Sequence, residues 1–167
     1  MLVLLGGIFV VHIATTVMLF VSTISNVWLQ FTGPDGRPAG SEASRGIWKT
    51  CTLEATCTSV FPVILGNEAS MRAVEAFMIL AIIFCCMALF AFIGQLFTLD
   101  KGCRFYITGG LMLFCWVCIL IAVSIYTARF GKISDSTTYH GYCFILAWIC
   151  FCLSFLVGIL YLVLRKK

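Results

Sequence analysis

The chain has 167 residues, of which 62% are hydrophobic and only 11% are charged, and its formal net charge is +4. A water-soluble domain of this size has too much surface to bury so large an apolar fraction. The composition therefore excludes an ordinary soluble domain and predicts an integral membrane protein.

The first predicted element is an apolar segment over residues 2–25 that contains no Asp, Glu, Lys or Arg. It lacks the basic start and the A-x-A site of a signal peptide, so we expect it to remain in the mature protein. Three similar segments follow, at 76–99, 105–128 and 141–164. About 20 apolar residues suffice for a helix to cross the hydrocarbon layer. We predict one tetraspan domain over residues 1–167, with long loops at 26–75 and 129–140.

Basic residues mark one side of the membrane. The short connection 100–104 carries Lys101 and Arg104, and the chain ends with Arg165, Lys166 and Lys167. The positive-inside rule places these segments, and hence both termini, in the cytoplasm, so the two long loops face outside. Cations beside helix ends suit anionic lipid head groups better than nucleic acid, and we expect the lipid bilayer but no nucleic acid as a partner.

Two of the ten cysteines, Cys51 and Cys57, lie in the first long loop. The exterior is oxidising, and no third outward cysteine competes with them, so we predict a disulfide between them. The threonines around them favour strands, and residues 54–56 suit the turn of a hairpin. Two thiols without a nearby histidine supply at most half of a zinc site, so we expect no metal and no cofactor.

The remaining cysteines offer two other hypotheses. Cys103 lies in the short cytoplasmic connection, where S-palmitoylation occurs, and is a candidate for lipidation. Cys115 and Cys118 have the C-x-x-C spacing of a membrane thiol oxidoreductase, but lipid disfavours a thiolate, and buried cysteines usually behave as small hydrophobic residues. His12, near the middle of the first span, has no ionisable neighbour at its depth and is expected to be structural. No catalytic triad or phosphate-binding loop is present, so we predict no enzyme activity.

Several stretches resemble one known family. "MLFVSTISNVW", "GIWKTC", "EAFMILAIIF", "QLFTLDKGCRFYITGG" and "GYCFILAWICF" are similar to the peripheral myelin protein and epithelial membrane protein family, part of the claudin-like tetraspan group. Trp28, Gly46, Trp48, Cys51 and Cys57 occupy the positions of its hallmark, which is a Trp, then Gly-x-Trp, then two Cys. The Gly/Pro-rich stretch 32–46 looks like an insertion relative to the family.

The resemblance implies an all-α membrane protein: a four-helix transmembrane bundle with a small extracellular β-sheet from the first loop. It also implies a non-enzymatic plasma-membrane protein that acts through lateral and extracellular partners in cell proliferation, adhesion, membrane blebbing and cell death. An integrin or a purinergic receptor is the kind of partner that the family suggests. Self-association is only weakly indicated, by the small residues Ser154 and Gly158.

A claudin-like pore or paracellular barrier former is the alternative function. Glu42, Arg45, Lys49 and Glu54 in the first loop would line such a pore. Residues 26–72 carry acids and bases in equal number, without the single-sign cluster that a selective pore uses, which disfavours this alternative. The membrane thiol oxidoreductase is the third hypothesis.

Overall fold

Four helices form most of the computed structural model, which describes residues 2–32, 42–54, 56–59, 66, 68–98, 104–130 and 138–166. The helices are α1 (Leu2–Ile24), α2 (Glu68–Thr98), α3 (Arg104–Phe130) and α4 (Tyr142–Lys166). All four are long and apolar enough to cross a membrane, which confirms the predicted fold class.

The second helix is longer than its apolar segment. It begins at Glu68 rather than at Ala76, because the residues between them are mostly good helix formers without Gly or Pro. Loop 26–75 therefore contains the first turns of α2. The other three helices begin and end within two residues of the predicted segments.

The helices pack unevenly around the bundle. α2 packs most extensively on α3, α3 on α4, and α4 on α1, whereas the seam between α1 and α2 is sparse. Small residues bring α3 and α4 together: a Cβ on Gly158 would lie 3.2 Å from the Leu113 side chain. Ser154 is completely buried. The two small residues that weakly indicated self-association thus serve the packing of this chain on itself.

A five-stranded antiparallel sheet covers one end of the bundle. Its strands are β1 (Leu29–Phe31), β2 (Glu42–Arg45), β3 (Lys49–Thr52), β4 (Cys57–Ser59) and β5 (Thr138–His140). Their spatial order is β4-β3-β2-β1-β5. Four strands come from the first loop, as the resemblance implies. β5 comes from the second loop and was not predicted; it pairs with β1 and so covers an edge that would otherwise expose unpaired backbone groups.

The junction between β5 and α4 depends on a glycine. The amide of Gly141 donates a hydrogen bond of 2.8 Å to the carbonyl of Trp28. At this approach a Cβ on Gly141 would overlap the carbonyl of Val27, which is backbone and cannot rotate away. Only glycine fits here.

We predict that Gly141→Ala lowers the stability of the fold by about 1–3 kcal/mol, because the overlap must push β5 away from β1. The matched control is Gly110→Ala in α3, where a Cβ would meet nothing within 4 Å. Thermal unfolding of detergent-purified protein measures both. Equal midpoints for the two variants would contradict the close approach described here.

Candidate functional site: a sheet anchored by two tryptophans

The C-terminal end of α1 is held by two indole groups. The last carbonyls of any helix lack partners within the helix. Trp28 donates its indole N–H to the carbonyl of Ser22 at 2.9 Å, and Trp48 donates its own to the carbonyl of Thr23 at 2.8 Å. An indole N–H can only donate, so each tryptophan is matched to an acceptor that the helix leaves open.

Trp28 also connects the sheet to the far side of the bundle. Its side chain is completely buried. The ring lies 4.7 Å from that of Tyr126 in α3 and 6.2 Å from that of Phe144 in α4, measured between centroids. Its backbone amide donates to the carbonyl of Arg45, the last residue of β2. One residue therefore contacts three helices and the strand β2.

Gly46 allows the turn between β2 and β3 to lie directly on the end of α1. A Cβ at this position would be 2.5 Å from the Cα of Asn26 and 3.0 Å from its Oδ1. The Gly46 amide donates to the carbonyl of Lys49 at 2.9 Å, which closes the turn. This turn carries Trp48 to Thr23. The spacing Gly-x-Trp thus has a physical reason: the glycine permits the contact that the tryptophan then fixes.

Cys51 and Cys57 are joined by a disulfide. They face each other directly in the β3–β4 pair, with their Cα atoms 4.1 Å apart. Thr52 closes the hairpin, since its amide donates to the carbonyl of Thr56 at 2.9 Å. The structure thus has the predicted hairpin, although Ala55 in its turn lies outside the described residues.

The sheet has two chemically distinct faces. On the face toward the helices, Leu29 and Thr50 are buried. Alternate positions point away from the bundle and form what we call the outer face, which comprises Gln30, Ser44, Cys51, Cys57 and Tyr139. The disulfide therefore lies on the outer face, where it links the two outermost strands on one side of the sheet.

The remaining sequence candidates lie inside the helices. Cys115 and Cys118 are free thiols buried within α3. His12 is completely buried and lies within hydrogen-bonding distance of the Tyr161 hydroxyl, 2.9 Å from Nδ1, and of the Cys85 carbonyl, 3.2 Å from Nε2. His12 thus links α1 to α4 and α2. Sequence reasoning missed Tyr161, because no local pattern connects residues 149 positions apart.

Two site predictions have a more limited outcome. Cys103 lies outside the described residues, so its lipidation stays a prediction. Within the part of the chain that the structure describes, no three His, Cys, Asp or Glu side chains lie together as metal ligands would.

Comparisons with known proteins agree with this arrangement. The family model described as PMP-22/EMP/MP20/Claudin matches residues 1–161. The chain is 53% identical to epithelial membrane protein 1 of Homo sapiens over 167 residues, which is the whole of both chains. It is 54% identical to epithelial membrane protein 1 of Oryctolagus cuniculus over 171 residues, again the whole of both chains. It is 38% identical to epithelial membrane protein 2 of Homo sapiens, over all of this chain and 99% of the relative. The names describe membrane proteins, not enzymes.

We predict that Trp48→Phe lowers stability by about 1–2 kcal/mol, because phenylalanine keeps the ring but leaves the Thr23 carbonyl without its donor. The matched control is Trp148→Phe in α4. Trp148 is 40% exposed, and no hydrogen bond from its indole is found among the described residues. Unfolding midpoints and delivery to the cell surface are the measurements. A loss in the control as large as that in Trp48→Phe would show that the hydrogen bond contributes nothing.

Proposed function

We propose that this chain, which belongs to the PMP-22/EMP/MP20/Claudin family, works without catalysis at the plasma membrane, with both termini in the cytoplasm. It acts by lateral and extracellular contact with other membrane proteins. The processes it influences are cell proliferation, adhesion, membrane blebbing and cell death. By family resemblance, an integrin or a purinergic receptor is the kind of partner it binds.

The observation that carries this proposal is the rigid attachment of the sheet. Trp28 and Trp48 fix the sheet to α1, and the β1–β5 pairing connects it to the segment that enters α4. A surface held in one arrangement before binding loses little conformational entropy when a partner docks on it. The outer face therefore supports a role as a preorganised docking surface.

Two exposed apolar residues mark where a partner would dock. Tyr139 on the outer face is 57% exposed, and Leu53, in the hairpin turn beside the disulfide, is 52% exposed. The attachment of the sheet does not explain their exposure, because the opposite face of the sheet makes the contacts with the bundle. Exposed tyrosines are over-represented among residues that dominate binding energy at protein interfaces.

We predict that Tyr139→Ser reduces partner capture at least about fivefold, because a tyrosine in such a position contributes 1 kcal/mol or more to binding. The control is Tyr142→Ser, which removes a tyrosine of similar exposure, 49%, outside the sheet. Proximity labelling from the full-length chain on epithelial cells identifies the partners in both variants. Adhesion and blebbing of the same cells are scored in parallel.

Transepithelial conductance, measured on the same cells, separates the proposal from the pore or barrier alternative. Within the described sheet, the Arg45 guanidinium lies over the Phe31 ring, 5.3 Å from its centroid, whereas Lys49 is exposed. We expect transepithelial conductance to be the same with and without the protein. An unchanged partner set in Tyr139→Ser together with altered conductance would favour the alternative.

The orientation in the membrane has its own test. The natural chain contains only two asparagines, Asn26 and Asn67, and neither begins an N-x-S/T acceptor. Glu54→Asn creates an N-A-T acceptor at an exposed position of the hairpin turn. We predict that this variant gains a glycan, migrates more slowly until treated with a glycosidase, and still reaches the cell surface.

Two controls make the topology result decisive. Thr50→Asn creates an N-C-T acceptor at a side chain that is only 2% exposed, so its glycan is incompatible with the folded sheet and this variant should be retained inside the cell. A wild-type chain extended at its C-terminus by a sequon-bearing tail should stay unmodified. A glycan on that tail, with none on Glu54→Asn, would invert the proposed orientation.

A further inference from the structure

The sparse seam between α1 and α2 widens into a groove directly below the sheet. Its volume is about 500 Å³. Phe20 and Ile24 from α1 form one wall, and Ile79 and Ile82 from α2 form the other. Trp48 and Lys49 line the end of the groove near the sheet. The walls belong to helices that lie in the membrane, so lipid has lateral access to the groove.

The walls select an acyl chain as the occupant. Ile24 is 66% exposed, and Phe20 and Ile79 are also open to the surroundings of the bundle. These side chains lie on helices long and apolar enough to cross a membrane, and the apolar groups that such helices turn outward contact hydrocarbon. The groove is in the middle of the range, about 300–1,000 Å³, that holds small ligands, which suits one acyl chain better than two.

The end of the groove near the sheet has a different chemistry, supplied by Lys49 and Asn26. Lys49 is exposed and has no ion-pair partner among the described residues. Asn26 also lines this end of the groove, and its Oδ1 is buried beside Gly46 without a hydrogen-bond partner among the described residues. The ammonium group of Lys49 is a cationic donor and fits an anionic group. Lysine is a common binder of phosphate.

One acid lies nearby on α2. Glu75 is one turn before Ile79 and is largely buried. Arg72, on the preceding turn, interacts with it electrostatically. Arg72 therefore offsets part of the charge of Glu75 within α2.

We propose that this groove binds a lysophospholipid with an anionic phosphate head group. The single acyl chain lies between α1 and α2 against Ile79 and Ile82, and the phosphate lies beside Lys49 and Asn26. This site is independent of the outer face of the sheet and of the partners proposed above, so either proposal can fail alone.

The test uses purified full-length chain in nanodiscs of phosphatidylcholine. Two probes with the same diazirine-bearing acyl chain are added at equal mole fraction: lysophosphatidic acid and lysophosphatidylcholine. After irradiation, adducts are mapped by mass spectrometry. We expect adducts on the α2 segment around Ile79 and Ile82, with about a fivefold excess for the anionic probe, the preference that one lysine near a membrane surface confers. Equal labelling by both probes, or labelling elsewhere only, overturns the proposal.

Variants assign the effect to the groove. Lys49→Gln should reduce the ratio of the two probes to about one, whereas Arg129→Gln should leave it unchanged; Arg129 is an exposed cation in the last turn of α3 and controls for general surface charge. Ile82→Trp should fill the groove and suppress labelling by both probes. An anionic preference that persists in Lys49→Gln, or full labelling of Ile82→Trp, contradicts the site.

Unlabelled competitors define the lipid class. Lysophosphatidic acid should displace the anionic probe at the lowest concentration. Equal competition by palmitate would show that a phosphate head group is not required, and equal competition by diacyl phosphatidic acid would show that the groove does not select one chain. Either result overturns the proposed class.

Discussion

The carbonyl groups that α1 leaves unpaired at its last turn are the constraint on which the rest of this end of the molecule depends. They lie where the chain leaves a hydrophobic layer, and a carbonyl without a donor there is costly. Two indole groups meet them, at Ser22 and Thr23, and both indoles belong to the segment that forms the sheet. The position of the sheet is thereby determined by the helix end itself. The orientation of the outer face follows from that position.

The two glycines that flank this anchor serve the same constraint. Gly46 and Gly141 come from different loops, yet both lie against the short segment from Asn26 to Trp28. Side chains at either position would hold that segment away from its neighbours. The sheet can approach the bundle closely enough for indole hydrogen bonds only because both positions lack a Cβ.

The sequence predicts the helices well and the contacts between distant elements poorly. Four uncharged segments are sufficient to predict four helices, because lipid allows few other backbone conformations. The disulfide was predicted because Cys51 and Cys57 lie in a loop expected to face the oxidising exterior and no third cysteine competes with them, and the structure contains it. β5 was missed because three residues, Thr138 to His140, give no detectable strand pattern; its pairing with β1 depends on tertiary proximity. The His12–Tyr161 contact and the groove beneath Trp48 were missed for the same reason. Each is made by residues that become neighbours only in the bundle.

The pairing of β1 with β5 can form only late in synthesis, because the two strands lie far apart in the sequence. The ribosome completes α1 and the first four strands long before it makes residues 138–144, and until then β1 has an open edge and Trp28 lacks its contact with Phe144. An exposed strand edge and an exposed aromatic ring are features of partly folded chains that aggregate. An unfinished chain therefore exposes a strand edge and an aromatic ring at the same corner. This corner closes only when β5 pairs with β1 and Phe144 at the start of α4 packs on Trp28.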